Sequence, residues 1–450
     1  MPYEDEAQNQ LNASRFVTDD NIRRRLQSVN IVNRPPLDSL ESLPLTDPFG
    51  TSDPTEKFDP ADNVIAVDGS RAEVPVGPSQ YNASVGFIEV AVVEVETDLL
   101  RKQRKRQFVN DAIAARSVES HHVRMVMPSR NVVVEDLPFK EAWRKFTFEN
   151  LQEKEILGRT LFEAFKHLLD LHGHLTDQGI KHPKCPVCDH REDQYCATDE
   201  IGECDFCGAT IYPTDRLRVH ERLGTNQSNL TAINLLMQII EQLCTTIVLE
   251  VVLDGGDDKA EETAIMKDGP LAQFDTAAWI ASGMQTWFDD LRDSEGSFPM
   301  IIGLHKEGDF GIFANEIRDQ LPSTRIVPMS SEFIYDNVVI QREEDELFGE
   351  QPKTYYGKNF IYTTKNDYVF PLTVPRRFDN DGTLLHKSND YPELPRILST
   401  LEDTALALYQ DSVIPIHMAH DYATIPEGVG QKVLTELANQ ELFDAEDLTY

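Results

Sequence analysis

Apolar positions along the chain set in late. Residues 1–60 are polar and rich in Pro, Asp and Ser, with one short helical pattern at 21–29, and read as an N-terminal extension. The pattern changes at Asn63. Val64-Ile65-Ala66-Val67 is an apolar run stopped by Asp68-Gly69-Ser70, which predicts a buried strand ending in a turn. Residues 85–95 alternate and are rich in Val, a second strand. Across 137–171, Phe146, Leu151, Phe162, Phe165 and Leu168 fall on helical spacing, predicting one or two amphipathic helices with Gly173 as a stop. A long helix is expected from Asn226 to Leu243, reaching towards Leu253, with Asn226 or Ser228 as cap. An acidic loop at 254–262 leads through 263–266 into Asp268-Gly269-Pro270-Leu271. Beyond it the pattern predicts a helix at 276–291, strands at 299–304, 327–339, 359–364 and 369–374, and a helix at 394–409. A last strand-like run at 413–418 precedes a closing helix at 429–442. Strands and long helices interleave, so the expected class is α/β with a mixed sheet flanked by helices. In such sheets functional side chains gather at the carboxyl ends of strands.

Composition narrows this picture. Of 450 residues 40% are hydrophobic and 26% charged, which suits a globular protein with a sizeable core. No run approaches the roughly 18 consecutive apolar residues of a membrane helix. The acidic, polar start does not resemble a secretory leader, so the cytoplasm is the expected compartment. With 42 basic and 77 acidic residues the formal charge is −35, which argues against coating DNA non-specifically but allows a local basic groove. One run stands out: 101–106 holds five basic residues in six, either a solvated turn or a phosphate-contacting edge.

Four of the six cysteines form two C-x2-C knuckles, Cys185/Cys188 and Cys204/Cys207, separated by fifteen residues. Two such turns complete a thiolate tetrahedron around Zn²⁺, and four thiolates leave no vacancy for water, so the expected site is structural. The segment 181–212 therefore reads as a zinc-ribbon insertion. Cys196, His182 and His190 are lesser candidate ligands. The acid in the insertion (Asp189, Asp199, Glu200, Glu203 and Asp205 among others) favours bracing the long helices over gripping phosphate.

Two acids sit at predicted strand ends, Asp68 and Asp268, each followed by Gly. Converging carboxylates joined by a Glu from a helix would hold Mg²⁺ or Mn²⁺ for phosphodiester hydrolysis. Either Asp-Gly pair alone is equally a turn signal. Taken together and in order, Asp68-Gly69-Ser70, Asp268-Gly269-Pro270-Leu271-Ala272, Gly303-Leu304-His305-Lys306, Tyr356-Gly357-Lys358-Asn359-Phe360-Ile361-Tyr362 and Ala419-His420 resemble the NurA nuclease family, over about residues 61–440. The resemblance implies an RNase H-like fold and a Mn²⁺-dependent nuclease. It further implies single-strand endonuclease and 5′–3′ exonuclease activity, a homodimer, and a hexameric HerA-type ATPase partner in DNA end processing or anti-phage defence. Asp68 and Asp268 become metal ligands, His420 a ligand or proton-transfer group, and Lys306 a phosphate contact. For the helix-borne Glu, Glu241 is favoured; Glu221 and, as a rival strand-end acid, Asp254 stay open. His417 is the nearest competitor of His420.

Two other functions remain: a non-catalytic DNA-end adaptor for a motor ATPase, and a different phosphoryl-transfer enzyme such as a nucleotide phosphatase. No G-x4-G-K-[ST] phosphate loop occurs, so translocation would fall to a partner.

Overall fold

The computed structural model describes residues 19–28, 45–47, 58–78, 81–97, 118–190, 194–294, 296–306, 308–338, 354–405 and 412–443. The basic run at 101–106 and most of the first 60 residues lie outside them. Among the described residues, eight strands form one mixed sheet: β1 (Asn63–Val76), β2 (Ala83–Glu96), β3 (Val118–Pro128), β4 (Thr263–Asp268), β5 (Met300–Leu304), β6 (Arg325–Pro328), β7 (Gly357–Thr363) and β8 (Val369–Pro375). Their order is β6-β7-β8-β5-β4-β1-β2-β3. β2 is antiparallel to both β1 and β3, β4 joins β1 in parallel, β5 joins β4 in parallel, and β8, β7 and β6 continue antiparallel. The longer helices are α1 (Phe139–Glu153), α2 (Leu161–Leu171), α3 (Leu230–Asp254), α4 (Trp279–Asp293), α5 (Gly308–Ile317), α6 (Leu394–Thr404), α7 (Ile414–Ala423) and α8 (Val429–Leu442).

Side-chain alternation along the central strands builds a core on each face. Ile65, Val67, Ile265 and Ile301 pack with residues of α1 to α4. Val64, Ala66, Met266 and Ile302 pack with Leu398 of α6 and Ile416 of α7. α3 is long and apolar enough to cross a membrane by length and composition, but 83% of its most apolar window is buried inside the protein. Its amino end is held by a strand. The Glu73 carboxylate of β1 accepts from Ser84 Oγ (2.7 Å), Ser129 Oγ (2.6 Å) and Asn229 N (3.4 Å), and from Ser228 Oγ. Burial pushes this carboxyl up, but the bonds from Ser129, Ser228 and Ser84 outweigh it and hold it below its ordinary range.

Several elements differ from the sequence expectation. Asp68 does not end a strand: β1 runs on to Val76, because Ala72, Val74 and Val76 bury on alternate positions between Arg71, Glu73 and Pro75. The run at 413–418 is not a strand but the start of α7; Pro415 sits in its first turn, and Ile416, Ala419 and Ala423 bury on helical spacing. Residues 327–339 are not one strand. β6 stops at Pro328, and Ser330 Oγ then accepts from Phe333 N (3.1 Å), capping the helix Ser331–Asn337. The stretch from Val251 to Asp254 ends helix α3 rather than a strand, and the acidic segment after it contains the helix Asp257–Glu262. β3 and α5 were not anticipated.

Candidate metal centre

Strand register brings the two acids together. Val67 pairs with Lys267, and Lys267 with Gly303. Asp68 and Asp268, one position on, therefore stand side by side on parallel strands, on the α7 face of the sheet. β4 and β5 then end while β1 continues. At that step a pocket of about 690 Å³ opens, lined by Asp68, Glu241, Asp268, Lys306 and His420 among others.

Helix α7 lies across β1 and delivers His420, whose Nδ1 is 2.8 Å from Asp68 Oδ2. The other Asp68 oxygen, Oδ1, accepts from Gly69 N at 2.7 Å. Lys306, just past β5, donates from Nζ to Asp268 Oδ2 at 2.7 Å. One ligand atom from each of Asp68, Asp268 and His420 lies within 4.8 Å of the others. Two carboxylates and an imidazole at that spacing fit a divalent cation such as Mn²⁺ or Mg²⁺.

Glu241 reaches the pocket from the opposite face of the sheet, on α3. It does so over Gly69: a Cβ there would stand 2.5 Å from Glu241 Oε1. Lys267, on the same face, has its Nζ 3.5 Å from Glu241 Oε2 and donates to Asp268 O at 3.3 Å. Both side chains are buried, Lys267 at 6% and Glu241 at 6% exposure. Glu241 is not in the mutually close group of three.

Clustered, buried carboxyl groups hold their protons more tightly. Burial pushes the Glu241 carboxyl up to about 7 against the pull of Lys267, with Asp68 and Asp268 adding to the rise. Burial and the Asp68 charge likewise raise Asp268 against Lys306. The hydrogen bond to Asp68 raises His420 above the ordinary imidazole range. A cation among these groups would relieve the repulsion between the carboxylates.

All five residues singled out for this site, Asp68, Glu241, Asp268, Lys306 and His420, line the one pocket. Glu221 is elsewhere: it pairs with Arg218 Nη2 (2.7 Å) and Lys184 (3.3 Å) beside the cysteine module. Asp254 pairs with Arg159. His417 lines the pocket too, one helical turn from Asp421, with 3.5 Å between Nε2 and Oδ2. Sequence reasoning missed Lys267 and Gln273, both pocket residues. A lysine immediately before a strand-end aspartate was the available signal for the first.

The four cysteines form a second group, with Sγ atoms within 4.8 Å of one another. Cys185 to Cys207 is 3.8 Å and Cys188 to Cys204 is 3.9 Å, close to the edge of a tetrahedron with metal–sulfur bonds of about 2.3 Å. Cys196 takes no part; its Sγ lies 3.1 Å from His182 Nε2. His190 stacks on Phe206, with ring centroids 4.6 Å apart. A buried bidentate pair, Arg144 of α1 with Asp215 (2.7 Å for each bond), ties the chain after the module to the helical layer.

No family model matches this chain, and no curated protein does. Among solved structures it is similar to the crystal structure of the NurA nuclease from Sulfolobus solfataricus, at 10% identity and a TM-score of 0.39, covering 99% of this chain and 97% of that one. It is also similar to a crystal structure of NurA at 10% identity and a TM-score of 0.29, covering 98% and 99%. Likeness at this level decides nothing about chemistry, which rests on the side chains of the pocket.

Proposed function

We propose that this chain is a divalent-metal-dependent DNA nuclease of NurA type, with Asp68, Asp268 and His420 holding the ion. The observation that carries the reading is the convergence of Asp68, Asp268, Lys306 and His420, drawn from motifs up to 352 positions apart, in one pocket. The RNase H-like fold is part of the proposal, supported by three antiparallel strands followed by two parallel ones around the acids.

A divalent ion held here, Mn²⁺ in the first instance, supplies electrophilic activation for phosphodiester hydrolysis. Lys306 places its ammonium against Asp268 at the pocket wall, where it can meet the charge of a bound phosphate. Glu241 completes the carboxylate set from α3, with Lys267 fixing its direction. His420 orients on Asp68 and serves as a nitrogen ligand or moves a proton beside it. The four-cysteine group is assigned to structural Zn²⁺ on its spacing and closed donor set. Single-strand endonuclease and 5′–3′ exonuclease action, a HerA-type ATPase partner, a role in end processing or anti-phage defence and a cytoplasmic location belong to the same proposal. A homodimer is supported by the exposed stripe of Val429, Val433 and Leu437 on α8, spaced four residues apart.

The test is cleavage of end-labelled single- and double-stranded DNA with Mn²⁺, Mg²⁺ or EDTA. Wild type should cut with Mn²⁺ and fail with EDTA, while Asp68→Ala and Asp268→Ala should lose at least about a hundredfold in rate with a retained fold. Normal cutting by Asp68→Ala would refute the site.

A further inference from the structure

Besides the ligand group, the pocket is lined by the chain after Asp268, with Ala272, Gln273 and Phe274, and by Met237 and Gln238 of α3. Backbone bonds fix this wall. Gln273 N donates to Thr354 O at 2.7 Å, Tyr356 N and Gly357 N donate to Leu271 O at 3.1 and 2.9 Å, and Leu271 N donates to Thr373 Oγ1 at 2.9 Å. On that rigid support Phe274 stands 37% exposed, edge-to-face with Tyr355 at 5.5 Å and 84°. Gln273 beside it is 2% exposed, and its Nε2 has no hydrogen-bond partner. A buried amide donor without an acceptor is costly and calls for an explanation.

We propose that this wall is a nucleobase subsite, in which an unpaired base of the strand held at the metal ligands stacks on Phe274 and offers an acceptor to Gln273. The proposal rests on the nuclease reading and adds which part of the substrate the pocket reads. Lys267 and Lys306 pair with carboxylates, whereas Gln273 and Phe274 present a neutral amide and an aromatic ring. Phosphate calls for charge; a π-face and an amide suit a base. Stacking tolerates every base, so the subsite selects an unpaired nucleotide rather than a sequence. At a formal charge of −35 the chain is strongly acidic, which gives uncharged contacts more weight.

The experiment compares full-length wild type, Phe274→Ala and Phe274→Trp on a single strand, intact or with one abasic residue placed successively along it. Cleavage is measured with Mn²⁺. For wild type, an abasic residue beside the cut should lower kcat/KM about tenfold. Phe274→Ala should lose about tenfold on the intact strand and show no further abasic penalty, while Phe274→Trp should restore both values. In parallel, binding of a strand carrying 2-aminopurine to the Asp68→Asn protein should quench its fluorescence, and addition of Phe274→Ala should abolish the quench. An unchanged abasic penalty in Phe274→Ala, with the quench retained, overturns the subsite and leaves the nuclease standing. Absence of Mn²⁺-dependent cutting by wild type overturns the nuclease reading and the subsite with it.

Discussion

Lys267 shows how much one buried cation can carry. It faces Glu241 at 3.5 Å in a site that also holds Asp68 and Asp268. Removing one member of a buried pair leaves the other uncompensated, at about 3–5 kcal/mol. Lys267→Met should therefore melt lower than wild type without metal and gain more from added Mn²⁺, because the ion replaces the missing charge. Thermal melts with and without Mn²⁺ check this, and an equal gain in both proteins would contradict it. Lys358 gives a pH signature away from the pocket. It is 3% exposed, donates to Met329 O and lies 2.9 Å from His386 Nδ1. Burial, with Arg376 adding repulsion, pulls its ammonium down to about 7. The unfolded chain keeps that proton up to about 10.4. Between these values the unfolded state binds more protons, so this group makes stability rise with pH across the window. Lys358→Met should be more stable than wild type at pH 7 and show a smaller rise towards pH 10 in denaturant melts.

At the scale of elements, two contacts fix the placement of α3, and each can be broken separately. Glu73→Ala removes the acceptor from the start of the helix and should cost about 1–2 kcal/mol in urea unfolding. Because Glu73 is held below its ordinary range, its contribution is present above about pH 4.3 and fades as pH falls through the lower folded value. The second contact is the close pass of Glu241 over Gly69. Gly69→Ala puts a methyl 2.5 Å from Glu241 Oε1 and should weaken Mn²⁺ binding in titration more than it lowers melting temperature. Unaltered Mn²⁺ binding would show that Glu241 is not needed at the ion. These contacts also show why element type was only partly legible. The Val-rich run of β2 and the closing helix α8 could be read from sequence, although β2 is buried at nearly every position rather than alternately. Asp68-Gly69-Ser70 read as a turn because Asp-Gly usually is one; here Gly69 sits in extended pairing with β2 and is required for the space beside it. Val413 to Met418 read as a strand because β-branched residues dominate it, whereas Pro415 in a first helical turn and the spacing of Ile416, Ala419 and Ala423 decide for helix.

Across the whole molecule the two candidate metal groups are separate, and their loss should be too. Cys185→Ser, or stripping by a strong zinc chelator, should lower the melting temperature while leaving residual Mn²⁺ binding at the Asp68–Asp268–His420 group. Loss of both together would show that the cysteine module braces the pocket. The candidate site was more legible than the fold, because short ordered motifs name residues without saying which element carries them. Lys267, Gln273 and the through-sheet approach of Glu241 were not legible, since they depend on strand register and on which face α3 covers. Asp68 lies in β1 and its partner His420 in α7, 352 positions later. A chain cut anywhere between positions 269 and 419 keeps both aspartates and lacks the imidazole. Under the proposed nuclease reading, such fragments hold the carboxylates without the nitrogen donor and should not cut.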